Sequence, residues 1–238
     1  MNAFPSTRFL PSVLLAMMLA APGAEARPSF EGKRLLYVGG AAIKERIKTD
    51  ENVQNHLRAL GFVVTTADES DPSSKADGQD LVVISASVSA RLVGGKYRDT
   101  RLPVLLSEAR VLDDMGMSGK SEGVDFGDER QDHSFWFVNA PHPLQGGIPN
   151  GLLNVTNGKL KVFTWGKPGL AASVIATIAG VPEKAVIFGY EKGAIMDGEF
   201  PAPARRVMFF LDGDTFDDLT DTGRKLFDAA VAWAMGSS

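Results

Sequence analysis

Short apolar runs separated by polar, glycine-bearing stretches make up most of this chain, and their spacing predicts its elements. RLLYVG at Arg34 to Gly39, FVVTTA at Phe62 to Ala67, DLVVISA at Asp80 to Ala86 and LPVLLSE at Leu102 to Glu108 are nearly continuous in apolar character. A strand with one wet face alternates, whereas a continuous run marks a strand buried on both faces of a parallel sheet. Between the first two runs, Val53, Leu57 and Leu60 recur at helical spacing. Thr49 or Asp50 is placed to cap that helix and Gly61 to end it. The pattern predicts a β-α-β unit with a right-handed crossover. Ser87 to Arg98 supplies a second, weaker crossover, because Gly94-Gly95 disfavours a helix there.

Five later runs are SFWFVN at Ser134 to Asn139, KLKVF at Lys159 to Phe163, SVIATIA at Ser173 to Ala179, KAVIFGYE at Lys184 to Glu191 and RRVMFFL at Arg205 to Leu211. Their close spacing predicts antiparallel hairpins appended to a mostly parallel core. Leu219, Leu226, Phe227, Ala230, Val231 and Ala234 form one apolar stripe, predicting a last helix from about Asp218 to Met235 that packs on the sheet. The pattern is that of an α/β fold. The loop Asp113 to His133, rich in Gly, Asp and Ser, is of a length that is often functional or mobile.

The N-terminus reads differently. Arg8 is followed by an apolar run from Val13 to Ala21 and by Ala24-Glu25-Ala26. A bilayer span needs about 20 apolar residues, whereas a signal-peptide core needs roughly 7 to 15 and a small-residue exit. Residues 1–26 are therefore expected to be a cleaved export signal, with a membrane anchor or a buried helix as the alternative. Residues 27–238 remain as a single domain, periplasmic or secreted. No cysteine follows the core, so lipid attachment is excluded.

Cleavage removes one positive and one negative charge, Arg8 and Glu25, so the net charge stays at −4. A mildly acidic chain without a basic cluster has no electrostatic footprint for nucleic acid or for an anionic membrane surface, and neither partner is expected. The chain has no cysteine. Disulfides, thiol nucleophiles and thiolate metal ligands are excluded with it.

In an open parallel sheet, ligands bind outside the carboxyl ends of the strands. Those ends carry Gly39 and Gly40, Ser85 and Ser87, Glu108, Glu191, and the pair Asp212 and Asp214. This polar, carboxylate-rich set is the candidate binding edge. Gly39-Gly40 can bring backbone amides to an anion, but it lacks dinucleotide spacing and serves equally as a tight turn. Asp212 to Asp218 resembles a calcium loop only superficially, because Phe216 stands where an oxygen ligand is required. Capping of the last helix explains the same acids. His56, His133 and His142 show no zinc spacing, and no metal or cofactor is expected. His56 is expected at the surface. His142, fixed between Pro141 and Pro143, is either a packing residue or an acid-base group. Glu108 is either a solvated carboxylate or a site residue, and Trp136 and Trp165 are either core or pocket wall.

The order of several segments resembles the class I glutamine amidotransferase-like superfamily, and within it the trehalose-utilisation, ThuA-like proteins and related extracellular bacterial domains. The segments are DLVVISASVS, PVLLSEARVLDDMGMSG, PHPLQGGI, AVIFGYEKG and the closing PARRVMFFLDGDTFDDLTDTGRKLFDAAVAWA, spanning roughly Lys33 to Met235. The resemblance implies a flavodoxin-like three-layer α/β/α sandwich. Glutamine amidotransferases place a cysteine after the strand matching Pro103 to Ser107, and Glu108 stands there instead. A carboxylate is a poor nucleophile whose acyl adduct would be an anhydride, so glutamine hydrolysis is not expected. The Gly-His segment near the end of ThuA-like chains is replaced by Asp212-Gly-Asp214, while His142 matches their His-Pro segment.

Three functions follow as expectations. The first is a non-catalytic binding domain for a small polar ligand or a carbohydrate, the latter implied by the resemblance. The second is a sugar hydrolase or isomerase with Glu108 or Asp114 as base and His142 as acid, which requires the three to converge on one cavity. The third is a structural or protein-interaction domain, since a fold does not imply a function.

Overall fold

The first four apolar runs form adjacent parallel strands. In the computed structural model, which describes residues 28–40, 44–131, 133–158 and 161–236, they are β1 (Arg34–Gly39), β2 (Val63–Asp68), β3 (Leu81–Ile84) and β4 (Val104–Leu106). The expected export signal, residues 1–26, lies outside the described residues. Helix α1 (Lys44–Ala59) connects β1 to β2, and a single turn, α2 (Ala90–Val93), follows β3. Next come β5 (Phe126–Gln131), β6 (Ser134–Phe137), β7 (Gly151–Asn154), β8 (Lys161–Gly166), β9 (Ser173–Ile178), β10 (Val181–Tyr190), β11 (Arg206–Phe209) and helix α3 (Asp221–Ala234). The strand order is β2-β1-β3-β4-β11-β10-β9-β6-β7, with β5 on β8 and β8 on β10. Strands β2, β1, β3, β4 and β11 are mutually parallel, and β10, β9, β6 and β7 extend the sheet antiparallel. Four of the five later runs form the antiparallel pairs expected of them, but RRVMFFL joins the parallel core instead, as β11 beside β4.

Continuous apolar strands have two faces to bury, and two cores form. Leu35, Tyr37, Val83, Leu105, Val207 and Phe209 pack with Val53 and Leu57 of α1 and with Leu226, Phe227, Ala230 and Val231 of α3. On the other face, Leu36, Val38, Val82, Ile84, Leu106 and Met208 meet Val93, Tyr97, Ala109, Val111, Met115 and Met117. That second layer is one helical turn, 3-10 turns and loops. An α/β fold is therefore observed, but among the described residues only one face of the sheet is covered by long helices, α1 and α3.

Local expectations are revised at several points. α1 is already formed at Lys44, so Thr49 and Asp50 lie inside it and cap nothing. α3 is capped by Thr220, whose hydroxyl accepts the Gly223 amide, and the acids from Asp212 to Asp218 sit in the preceding loop. The Asp113 to His133 loop contains β5, a strand too polar to show an apolar pattern. The Lys159 to Phe163 run pairs as β8 over Lys161–Gly166, and residues 159 and 160 lie outside the described residues.

Candidate functional site

Because β1, β2, β3, β4 and β11 are parallel, their carboxyl ends share one edge. It carries Gly39 and Gly40, Glu69, Ser85 and Ser87, Ser107 and Glu108, and Asp212. One residue from outside the strands completes it. Asp50, on α1, is buried against this edge. Its Oδ1 accepts from the Tyr37 hydroxyl at 2.8 Å and from the Ser85 hydroxyl at 2.5 Å, and its Oδ2 accepts from the Ser87 hydroxyl at 2.5 Å. Burial, then the neighbouring Asp50 charge, holds the Tyr37 phenol well above its ordinary value, so it stays a donor. The network runs on outward, since the Ser87 hydroxyl accepts the Gly40 amide at 2.8 Å. Glu69, also buried, accepts the Ser89 amide at 2.5 Å. Gly40 is a glycine for a steric reason, because a β-carbon there would collide with the Ser87 carbonyl. Its place in a tight corner is the turn reading of Gly39-Gly40.

A small cavity of about 30 Å³ opens beside this network, lined in part by Thr49, Asp50, Ser85, Ser107, Asp212 and Phe216. It has room for a water molecule or two and no more. A sugar ring is too large to enter it. A wider, open depression of about 650 Å³ lies elsewhere, between β7 and the start of α3, with Leu152, Asn154, Asn157, Leu219, Thr220 and Asp221 among its walls.

Glu108 sits at the corner after β4 and is only 7% exposed, so it is not the solvated carboxylate that its strand-end position suggested. Its side chain caps a 3-10 turn (Ala109–Val111) by accepting the Arg110 amide at 3.0 Å. The Arg110 guanidinium lies 3.6 Å away, but it is held more closely by Glu122 at 2.7 Å and Asp128 at 2.9 Å. Burial pushes the Glu108 carboxyl up to about 7, the Arg110 contacts pull it down, and Asp128 and Asp212 add to the rise. At neutral pH it is poised between acid and carboxylate.

The remaining sequence candidates go elsewhere. Glu191 follows β10, which runs antiparallel to β11, so it emerges at the opposite edge and pairs there with Arg205 at 2.8 Å. His142 belongs to that opposite edge as well: its ring lies 5.7 Å from that of Trp233 at the end of α3, and Glu191 and Arg205 act on it. Its Nδ1 accepts the Leu144 amide at 3.1 Å, and burial holds its pKa below the ordinary value. Asp114 is exposed next to Gly94. Glu108, Asp114 and His142 thus do not converge, and the acid-base arrangement loses its geometry. Asp214 turns out to Lys161 at 2.9 Å rather than into the cavity. His56 is not a surface residue: it pairs with Asp228 of α3 at 2.5 Å, against Phe216 and Phe227. Trp165 is core, whereas Trp136 is half exposed on β6. Among the described residues, no group of three or more histidines and acids is arranged to hold a metal ion.

Asp50, Tyr37 and Glu69 are the site residues that sequence reasoning missed. A mid-helix aspartate carries no local signal, although its low helix propensity and its place on the apolar Val53–Leu57 face were available clues.

No family profile and no curated protein sequence matches the chain. Solved structures do. A GMP synthase component from Thermoplasma acidophilum aligns with a TM-score of 0.51 at 16% identity, over 87% of this chain and 96% of its own. This likeness shows a shared fold. ThuA-like proteins from Bacteroides uniformis and Parabacteroides merdae share it as well. They align with TM-scores of 0.51 at 15% and 12% identity, covering 90% and 87% of this chain and 95% and 91% of theirs. The chain therefore has the fold of the ThuA-like, glutamine amidotransferase-like proteins.

Proposed function

We propose that this is an exported, non-catalytic glutamine amidotransferase-like domain that holds a small polar ligand, a carbohydrate by preference, against the carboxyl edge of its parallel strands. The central observation is the corner after β4. There Glu108, buried and half-neutral, stands where the sequence resemblance would put the amidotransferase cysteine, in a chain that has none. Its backbone is extended, with φ −82°, so the corner holds no strained nucleophile. What the edge presents is acceptor oxygens and hydroxyls around a cavity too small for a substrate, which suits a polyol laid across the rim. The resemblance to ThuA-like proteins motivates the carbohydrate and the flavodoxin-like layering of the fold. Export follows from the N-terminal pattern.

The test is a thermal-shift screen of the mature protein, residues 27–238, against neutral sugars and sugar acids. A ligand at ten times its Kd contributes about 1.4 kcal/mol, or about 3–6 °C in a domain of this size. Neutral sugars are expected to raise the melting temperature, and Ser87→Ala or Glu108→Gln to remove the shift. A shift that survives both variants but disappears in Asn157→Ala moves the ligand to the β7–α3 depression and overturns the proposed position. No shift with any sugar overturns the ligand class.

A further inference from the structure

Arg110 is a guanidinium set among carboxylates drawn from several elements. Its Nε holds Glu122 in the turn before β5, one Nη holds Asp128 on β5, and the other faces Glu108 on its own 3-10 turn. Asp212, from the loop after β11, also acts on Glu108. These are the charged groups that act on Glu108: Arg110 from its own turn, Asp128 from β5 and Asp212 from beyond β11. Among the described residues, β5 pairs in the sheet only with β8. Arg110 ties it by an ion pair to the β4 corner, and the Phe126 ring of β5 is buried in the core.

One guanidinium cannot satisfy all of these acids equally. Glu122 is more than half exposed and Glu108 is almost fully buried. A buried charge loses far more by lacking a counter-ion than an exposed one, whose pair is screened by water. The outcome therefore depends on whether Glu108 is charged. We infer that Arg110 is a proton-set latch. With Glu108 neutral it clamps the turn at Glu122 and β5 at Asp128 over the strand edge; with Glu108 ionised it is drawn inward to Glu108 and lets the turn go. The carboxyl's position near pH 7 places the change in the physiological range. The latch does not depend on the edge binding a sugar, and its test needs no ligand.

Hydrogen exchange of the intact mature protein tests it, followed over residues 119–131 at about pH 5.5 and about pH 8.5 and corrected for intrinsic exchange, so that only structural opening is read. Protection of the turn around Glu122 is expected to fall about tenfold at the higher pH, the effect of roughly one pKa unit of interaction. Glu108→Gln is expected to keep protection high at both pH values. Glu122→Gln, at an exposed position that leaves the core untouched, is expected to show low protection at both. A wild-type turn whose protection does not change with pH overturns the latch. So does a full pH response retained in Glu122→Gln, a readout that survives even if the Glu108 variant fails to fold.

Discussion

At the residue scale, Asp50 has the strongest structural claim in the candidate site. Three buried or partly buried hydroxyls, on Tyr37, Ser85 and Ser87, all donate to it. It joins α1 to the ends of β1 and β3, and through Ser87 it fixes the Gly40 amide. A carboxylate with two oxygens is the only side chain of its length that offers enough lone pairs to accept three donors. Asp50→Ala leaves those hydroxyls to find partners in a cavity with space for very little water. It is expected to cost about 3 kcal/mol or more, given about 1–3 kcal/mol per unsatisfied buried group. Asp50→Asn keeps one accepting oxygen and is expected to cost clearly less. Urea denaturation of the two variants decides the point, and equal losses would mean that the hydroxyl network carries little of the stability. Asp50 also shows the limit of sequence reading at this scale. Gly40, Ser85 and Ser87 stand next to apolar runs and were visible from pattern, but the residue that binds them together arrives from a helix whose start lies six residues earlier than capping signals implied.

At the element scale, the connection between α2 and β4 is held by an unusual means. Arg206, the first residue of β11, is fully buried. It donates to the carbonyls of Arg98, Thr100, Leu102, Ala204 and Arg205 at 2.7 to 3.2 Å. Burial lowers its pKa to about 10, which leaves it charged at neutral pH. The planar fork lets one side chain collect the carbonyls of an irregular segment that has no ladder of its own, and an ammonium cannot span the same set. Arg206→Lys is expected to destabilise by about 3 kcal/mol, since hydrogen bonds to charged groups are worth about 1.5–3 kcal/mol each. It should also speed tryptic cutting after Arg98 and Arg101. Unchanged cleavage there would show that the segment is held by packing instead. The same contrast between regular and irregular structure explains what the pattern of apolar positions disclosed. Strands β1, β3, β4, β11 and both long helices were visible because each buries a full face, whereas β2, expected to be buried on both faces, lies at the sheet border with only Ala67 of its residues buried. β5, FGDERQ, and β7, GLLN, were not visible. The first is mostly polar and the second is four residues at the sheet border, so neither leaves a run long enough to read.

At the scale of the whole molecule, strand direction decides which residues meet, and direction is not written in a local run. Glu108 and Glu191 both follow apolar strands, yet they lie on opposite edges because β4 is parallel to β11 and β10 is antiparallel to it. Separating Glu108 from His142 also gives the domain two titrating groups, one buried and one half-buried, with opposite effects on stability. Glu108 binds its proton more tightly when folded, near 7, than at its ordinary 4.5. Its contribution is fully present below about 4.5 and is withdrawn as pH rises through 7. The total is on the order of 3 kcal/mol, from about 1.4 kcal/mol per pKa unit. His142 is a base with a lowered pKa, so its contribution is present above its ordinary 6.5 and is lost as pH falls. The wild-type profile mixes the two near neutrality. The difference between wild type and Glu108→Gln cancels His142, because the two groups stand at opposite edges and distant sites add. From urea midpoints taken between about pH 4.5 and about pH 8, the variant is expected to gain up to about 3 kcal/mol relative to wild type as pH rises. Most of that gain should fall between pH 5 and 7. A difference that stays flat across the range would mean that Glu108 reaches solvent or a counter-charge in the folded protein, and the buried, half-neutral corner would have to be abandoned.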